Sequence, residues 1–145
     1  MRIALGADHA GVQLKQAIRQ LLDERGIEYT DFGTNSSESV DYPDFAVAVA
    51  EDVAGGRADL GILFCGSGIG MAIAANKIAG VRAAVVVDVA SARLSREHNN
   101  ANILALGERL TPVDAAREIV TAFLETPFAG GRHQRRVDKI SALDK

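Results

Sequence analysis

Short apolar runs alternate with segments of helical period five times along this chain, and that alternation restricts the fold more than any other feature. Residues 3–5 are an apolar run closed by Gly6, and Leu14, Ala17, Ile18, Leu21 and Leu22 then recur at helical spacing until Gly26. A short apolar run flanked by glycine reads as a buried strand, and recurrence at three and four reads as an amphipathic helix. Residues 27–32 read as a second strand ending at Gly33, and 34–41 as a polar loop. Pro43 suits the first turn of a helix that buries Phe45, Ala46, Val49, Ala50 and Val53 before Gly55 and Gly56. Residues 60–64 and 71–78 form the third strand–helix pair, 83–87 and 90–98 the fourth, and 103–106 the fifth strand. Thr111-Pro112-Val113-Asp114 predicts a helix start with Thr111 as the cap and Pro112 at the first helical position. Ala116, Ile119, Val120, Phe123 and Leu124 supply its buried face. A Pro/Gly hinge over 126–131 leads to a basic terminal helix from Arg132.

Five strands, each followed by a helix, predict an α/β fold with a five-stranded parallel sheet covered on both faces. The 145 residues are 48% hydrophobic and 24% charged, which suits one globular domain over 1–145. No apolar run approaches the ~20 residues that cross a bilayer. The first residues lack the pattern of an export signal, so the expected compartment is the cytoplasm. Cys65 is the only cysteine, which excludes an internal disulfide framework and a zinc site built from several cysteines. The net charge of −3 argues against a general nucleic-acid binder. Residues 131–145 carry five basic and two acidic residues, a balance of +3 that leaves −6 on the rest. A basic end on an acidic body suggests a localised anion site, or a tail that docks on a partner.

Ligands of open parallel sheets bind beyond the carboxyl ends of the strands. Here those ends are residues 6–11, 33–42, 65–70, Asp88 and 107–109. The loop Gly66-Ser67-Gly68-Ile69-Gly70 joins a strand to a helix, so its amides can cradle an anion or a developing oxyanion. A glycine-rich turn kept only for tight packing is the plainer reading. The spacing is not that of a dinucleotide fingerprint, and it follows the third strand rather than the first. Cys65 directly precedes the loop. A lone cysteine is usually a small buried hydrophobe, but at the mouth of such a loop it suits a nucleophile or proton acceptor.

His98 ends the fourth helix, where a histidine often serves only the helix dipole. His9 and Asp8 lie at the first strand end; Asp8 suits orienting a base, contacting a hydroxyl or capping the next helix. Together with Cys65 these residues form a candidate acid–base set. Arg132 and Arg136, four apart, share one helix face, and Arg109 at the fifth strand end is positioned to join them in binding a phosphate dianion. A solvated charge run is the usual alternative. Tyr42, before Pro43, is either a lid contact or simple packing.

Read together, Gly6-Ala7-Asp8-His9-Ala10-Gly11, Asp41-Tyr42-Pro43, Cys65-Gly66-Ser67-Gly68-Ile69-Gly70, Ala74-Ala75-Asn76-Lys77, Glu97-His98-Asn99-Asn100 and Gly131-Arg132-His133-Gln134-Arg135-Arg136 resemble the type B ribose-5-phosphate isomerase family. That family also contains subunits of galactose-6-phosphate isomerase and allose-6-phosphate isomerase. The resemblance runs in order along nearly the whole chain. It implies a Rossmann-like three-layer α/β/α sandwich and a metal-free, cofactor-free isomerase of ribose 5-phosphate and ribulose 5-phosphate. It implies a homodimer, or a tetramer of such dimers, with active sites that draw on both chains. By the same resemblance Cys65 is the base at C2 and His98 the proton donor to the ring oxygen. Asp8, His9, Tyr42 and Asn99 line the sugar. Gly66, Ser67, Gly68, Ile69 and Gly70 hold the enediolate oxygen. Arg109, Arg132 and Arg136 bind the phosphate, with His9 as a further candidate. Some family members lack the cysteine and place a glutamate just after the glycine loop. Met71 stands there in this chain, which resembles the cysteine type. The rivals are a hexose-6-phosphate isomerase of the same family and, from another class, a non-catalytic phosphate- or nucleotide-binding protein.

Overall fold

The computed structural model describes residues 1–145 as β1 (Arg2–Ala7), α1 (Val12–Glu24), β2 (Glu28–Asp31), α2 (Tyr42–Ala54), β3 (Leu60–Cys65), α3 (Ile69–Ala75), β4 (Ala83–Val85), α4 (Val89–Glu97), β5 (Ile103–Gly107), α5 (Val113–Glu125) and α6 (Arg132–Ser141). The strands form one sheet in the order β2-β1-β3-β5-β4, and every neighbouring pair is parallel. The expected α/β fold is therefore present, with its basic terminal helix. The central strands are apolar throughout because both sheet faces are covered.

One face packs Ile3, Leu5, Ile62, Phe64 and Leu104 against α1, α4 and α5, and Phe64 and Phe123 are fully buried there. The other packs Ala4, Leu63, Cys65 and Ile103 against α2 and α3. Removing a ring such as that of Phe64 from this interior costs about 3–5 kcal/mol. Period-two alternation along β3 thus sends Phe64 to one layer and Cys65 to the other.

Several boundaries shift by one or two residues from the sequence reading, and three shifts have a specific cause. Thr111 does not cap α5: the cap position is Pro112, and the Thr111 hydroxyl is buried without a partner. Pro112 has ψ 155° and stays extended, so the helix begins one residue later. The helix after the glycine loop spans Ile69–Ala75 rather than 71–78. Gly68 at φ 81° starts it early, and the Asn76 side chain leaves it to pair with both backbone groups of Ala83 (3.0 and 2.8 Å). The fourth strand stops at Val85 because the chain turns to Asp88, whose Oδ1 accepts the Ser91 amide at 2.7 Å and caps α4.

The connections fix where a ligand sits. From β1 the chain steps outward to β2, then returns across β1 to β3 on its other side. The carboxyl ends of β1 and β3 therefore flank the topological switch point, where parallel sheets open a crevice.

Candidate active site

Cys65 is the last residue of β3, and its side chain is 5% exposed. Its Sγ accepts the Gly68 amide at 3.0 Å, so a donor is already in place for charge on the sulfur. Gly68 takes φ 81°, a conformation side-chain-bearing residues avoid, and folds back on the Leu106 backbone. Gly107 completes that approach: a Cβ there would stand 2.6 Å from the Ser67 Cα. The Ile69 amide donates to Ser67 Oγ at 3.2 Å, while the amides of Gly66, Ser67, Gly70 and Met71 have no protein acceptor. These four free N–H groups follow Cys65 closely along the chain and are the kind of donor that an oxyanion needs.

The β1 end faces this loop. Asp8 is 7% exposed; its amide donates to the Phe64 carbonyl at 3.1 Å and its Oδ1 accepts the Ala10 amide at 3.0 Å. This carboxylate shapes the 8–11 turn and does not cap α1, whose first turn instead donates the Leu14 amide to Glu108 Oε1 at 2.7 Å. His9 Nδ1 accepts the Val40 amide at 3.2 Å. Arg109 lies over the glycine loop, since a Cβ on Gly66 would stand 3.0 Å from its Nη1. The Tyr42 ring packs on Gly70 and is 40% exposed. These residues, with Ile69 and Ile73, line one cleft of about 540 Å³. A separate cleft between α1, α4 and α5, lined by Arg25, Arg93 and Glu118, holds neither cysteine nor histidine.

His98, Asn99, Arg132 and Arg136 are elsewhere. Helix α4 starts at the carboxyl end of the sheet and runs back for nine residues, about 13 Å, so His98 at its C-cap lies at the opposite end from Cys65. There it stacks on His133 of α6, with ring centroids 4.2 Å apart. The Ala129 amide donates to the Glu97 carbonyl at 3.1 Å and holds the two segments together. Partial burial, then the positive fields of His98, Arg132 and Arg136, hold the His133 imidazole below the ordinary histidine range. Within one chain, Arg109 and the tail arginines therefore belong to different ends of the molecule.

Comparison with known proteins adds the lineage. The Ribose/Galactose Isomerase family model matches residues 3–140. The chain belongs to the ribose/galactose isomerase family. Ribose-5-phosphate isomerase B of Escherichia coli is 51% identical over 99% of this chain and 97% of its own. The solved ribose-5-phosphate isomerase B of Clostridium thermocellum is 54% identical, with a TM-score of 0.97 over 99% of this chain and 97% of that one. The Mycoplasma genitalium enzyme, solved with bound ribulose 5-phosphate, is 45% identical, with a TM-score of 0.94 over 97% and 94%.

In this ribose/galactose isomerase the expected site residues divide into two groups. Asp8, His9, Tyr42, Cys65, Gly66, Ser67, Ile69, Gly70 and Arg109 share one cleft, while Gly68 packs on the Leu106 backbone behind it and gives its amide to Cys65. His98, Arg132 and Arg136 gather around His133 at the far end, and Asn99 lines the groove beneath α6 there. The division follows from chain direction: a residue at a helix end just before a strand lies at the amino end of a parallel sheet. Three supporting residues escaped the sequence reading. Lys15 carries no motif, Glu108 falls in the strand-end segment 107–109 without a signal of its own, and His133 lies within a basic run.

Proposed function

We propose that this chain is the aldose–ketose isomerase that interconverts ribose 5-phosphate and ribulose 5-phosphate in the pentose phosphate reactions of the cytoplasm. The observation that carries the reading is Cys65 Sγ bonded to the Gly68 amide of a loop whose Gly66, Ser67 and Gly70 amides are free, in the same cleft as Asp8, His9 and Arg109. Isomerisation needs one base at C2, a cradle for the enediolate and an anchor for the phosphate. No helix is long and apolar enough to cross a membrane, in keeping with a phosphorylated, water-borne substrate.

In the proposed sequence the ring form first opens: His98 gives a proton to the ring oxygen, the bond from C1 to that oxygen breaks as O1 becomes the carbonyl, and the O1 proton returns to His98 through water. The Cys65 thiolate takes the C2 proton, and the electron pair moves through C1–C2 to O1, giving an enediolate held by the loop amides. The O2 proton passes to O1 as C2 becomes the carbonyl, and the thiol returns its proton to C1. Atoms and charge balance with no redox partner. Anchoring the phosphate far from C1 and C2 positions those carbons against the sulfur.

The same reading requires a homodimer. One chain supplies Cys65 and its cradle; a second copy supplies His98, Asn99, Arg132 and Arg136. Exposed Ile69 and Ile73 beside the cleft, and exposed Leu94 on α4, are apolar surface that such a copy would cover. The test is turnover of ribose 5-phosphate in EDTA, beside allose 6-phosphate and galactose 6-phosphate. The expected result is turnover in chelator with the pentose phosphate preferred. Turnover of none of the three would overturn the reading and favour a binding protein.

A further inference from the structure

Lys15 has no solvent exposure at all, although it lies on α1 in a chain whose other lysines read as surface. Its three ammonium protons meet three acceptors: Asp31 Oδ1 at 2.7 Å, the Thr34 carbonyl at 2.6 Å and Asn35 Oδ1 at 2.9 Å. A buried ammonium is costly unless fully paired, and an apolar side chain of similar volume would fill the same space without that cost. What the charge adds is position. Two of its three acceptors belong to the loop that follows β2, and Asp31 itself also accepts the Gly33 amide at 2.8 Å.

The far end of that loop meets the cleft. Residues 36–39 are exposed, and Val40 then donates its amide to His9 Nδ1 at 3.2 Å. A backbone amide only donates, so the Nδ1 it meets must carry a lone pair. Neutral His9 therefore holds its proton on Nε2, where it serves as a donor in the cleft that His9 lines. The opposite tautomer would set one N–H against another.

We propose that Lys15 is a positioning residue: its buried ammonium pins the 34–40 loop so that the Val40 amide fixes His9 as an Nε2–H donor to an oxygen of the bound sugar phosphate. This rests on the isomerase reading for its ligand, but the tautomer itself can be read without any substrate.

The test has two variants and two readouts. Lys15→Met alone would leave the part-buried Asp31 carboxylate with only the half-exposed Arg19 guanidinium, 3.3 Å from its Oδ2, so it is combined with Asp31→Asn, which removes both charges of the Lys15–Asp31 pair. Asn35→Ala, at an exposed position, removes one of the three acceptors and leaves the core intact. Imidazole 15N NMR reports which nitrogen of His9 is protonated, a tractable measurement in a chain with three histidines. The wild type is expected to show His9 protonated on Nε2 alone. Asn35→Ala should give a mixture of tautomers and raise KM for ribose 5-phosphate about threefold, and the double variant about tenfold or more, with kcat changed less than KM. A lowered Tm with an unchanged His9 tautomer and unchanged KM would overturn the proposal and leave Lys15 with a packing role. Absence of turnover in the wild type would instead sink the isomerase reading, while the tautomer measurement would still decide whether Lys15 governs His9.

Discussion

The imidazoles of His98 and His133 stack with their planes 15° from parallel and their centroids 4.2 Å apart. Arg132 and Arg136 add positive charge to the same place. A proton on His133 is therefore opposed in the folded chain, first by partial burial and then by these cations. Its folded pKa lies below the unfolded value near 6.5. Between the two the unfolded chain binds more protons, so this contribution to stability is full above 6.5 and is lost as pH falls through that value and the lower folded one. The expected outcome is that His133→Gln narrows the drop in Tm between pH 8 and pH 5 in phosphate-free buffer. An equal drop in wild type and variant would contradict it.

Cys65 is the only thiol in the cleft formed by the ends of β1 and β3. Replacing it with Ala should lower kcat by about 10²–10⁴-fold, the range of a lost general base. Affinity for a non-reacting sugar phosphate should stay within about threefold, since the loop amides and arginines remain. Calorimetric titration of the variant checks this; equal loss of binding and turnover would remove Cys65 from the role of base.

Gly107 lets the 65–70 loop rest against the end of β5. A methyl group there would meet the Ser67 backbone at 2.5–2.7 Å, where no flexible side chain can give way. Gly107→Ala should destabilise the chain by about 1–3 kcal/mol through overpacking and should also displace the amide cradle. Urea unfolding reads the first effect and kcat the second. A variant with wild-type values of both would show the loop to be more yielding than its packing implies.

The alternation of strands and helices was legible because both faces of a parallel sheet are buried, so β1, β3 and β5 read as unbroken apolar runs. The glycine loop and Cys65 were legible because a strand-to-helix turn is a local feature. Thr111 misled because Ser or Thr before Pro usually caps, whereas here Pro112 remains extended and the hydroxyl is buried. Val86 and Val87 extended the fourth strand on paper, but Val87 is 57% exposed and lies past the last paired residue. Lys15 was invisible because a charge beside an apolar helical stripe reads as solvent-facing, and only the approach of Asp31, the Thr34 carbonyl and the Asn35 side chain reveals its burial. The separation of His98 from Cys65 was in principle readable from chain direction. A strand end and the helix end before a strand carry similar polar residues, although they lie at opposite ends of a parallel sheet.

In the proposed homodimer Cys65 of one chain and His98 of the other form a single active site. Mixing two inactive variants, Cys65→Ala and His98→Asn, tests it directly after they are unfolded and refolded together in equal amounts. Half of the randomly formed dimers pair one variant with the other, and each of these holds one intact site of two, so about a quarter of wild-type activity should return. Activity no greater than that of the two variants assayed apart would contradict a site shared between chains.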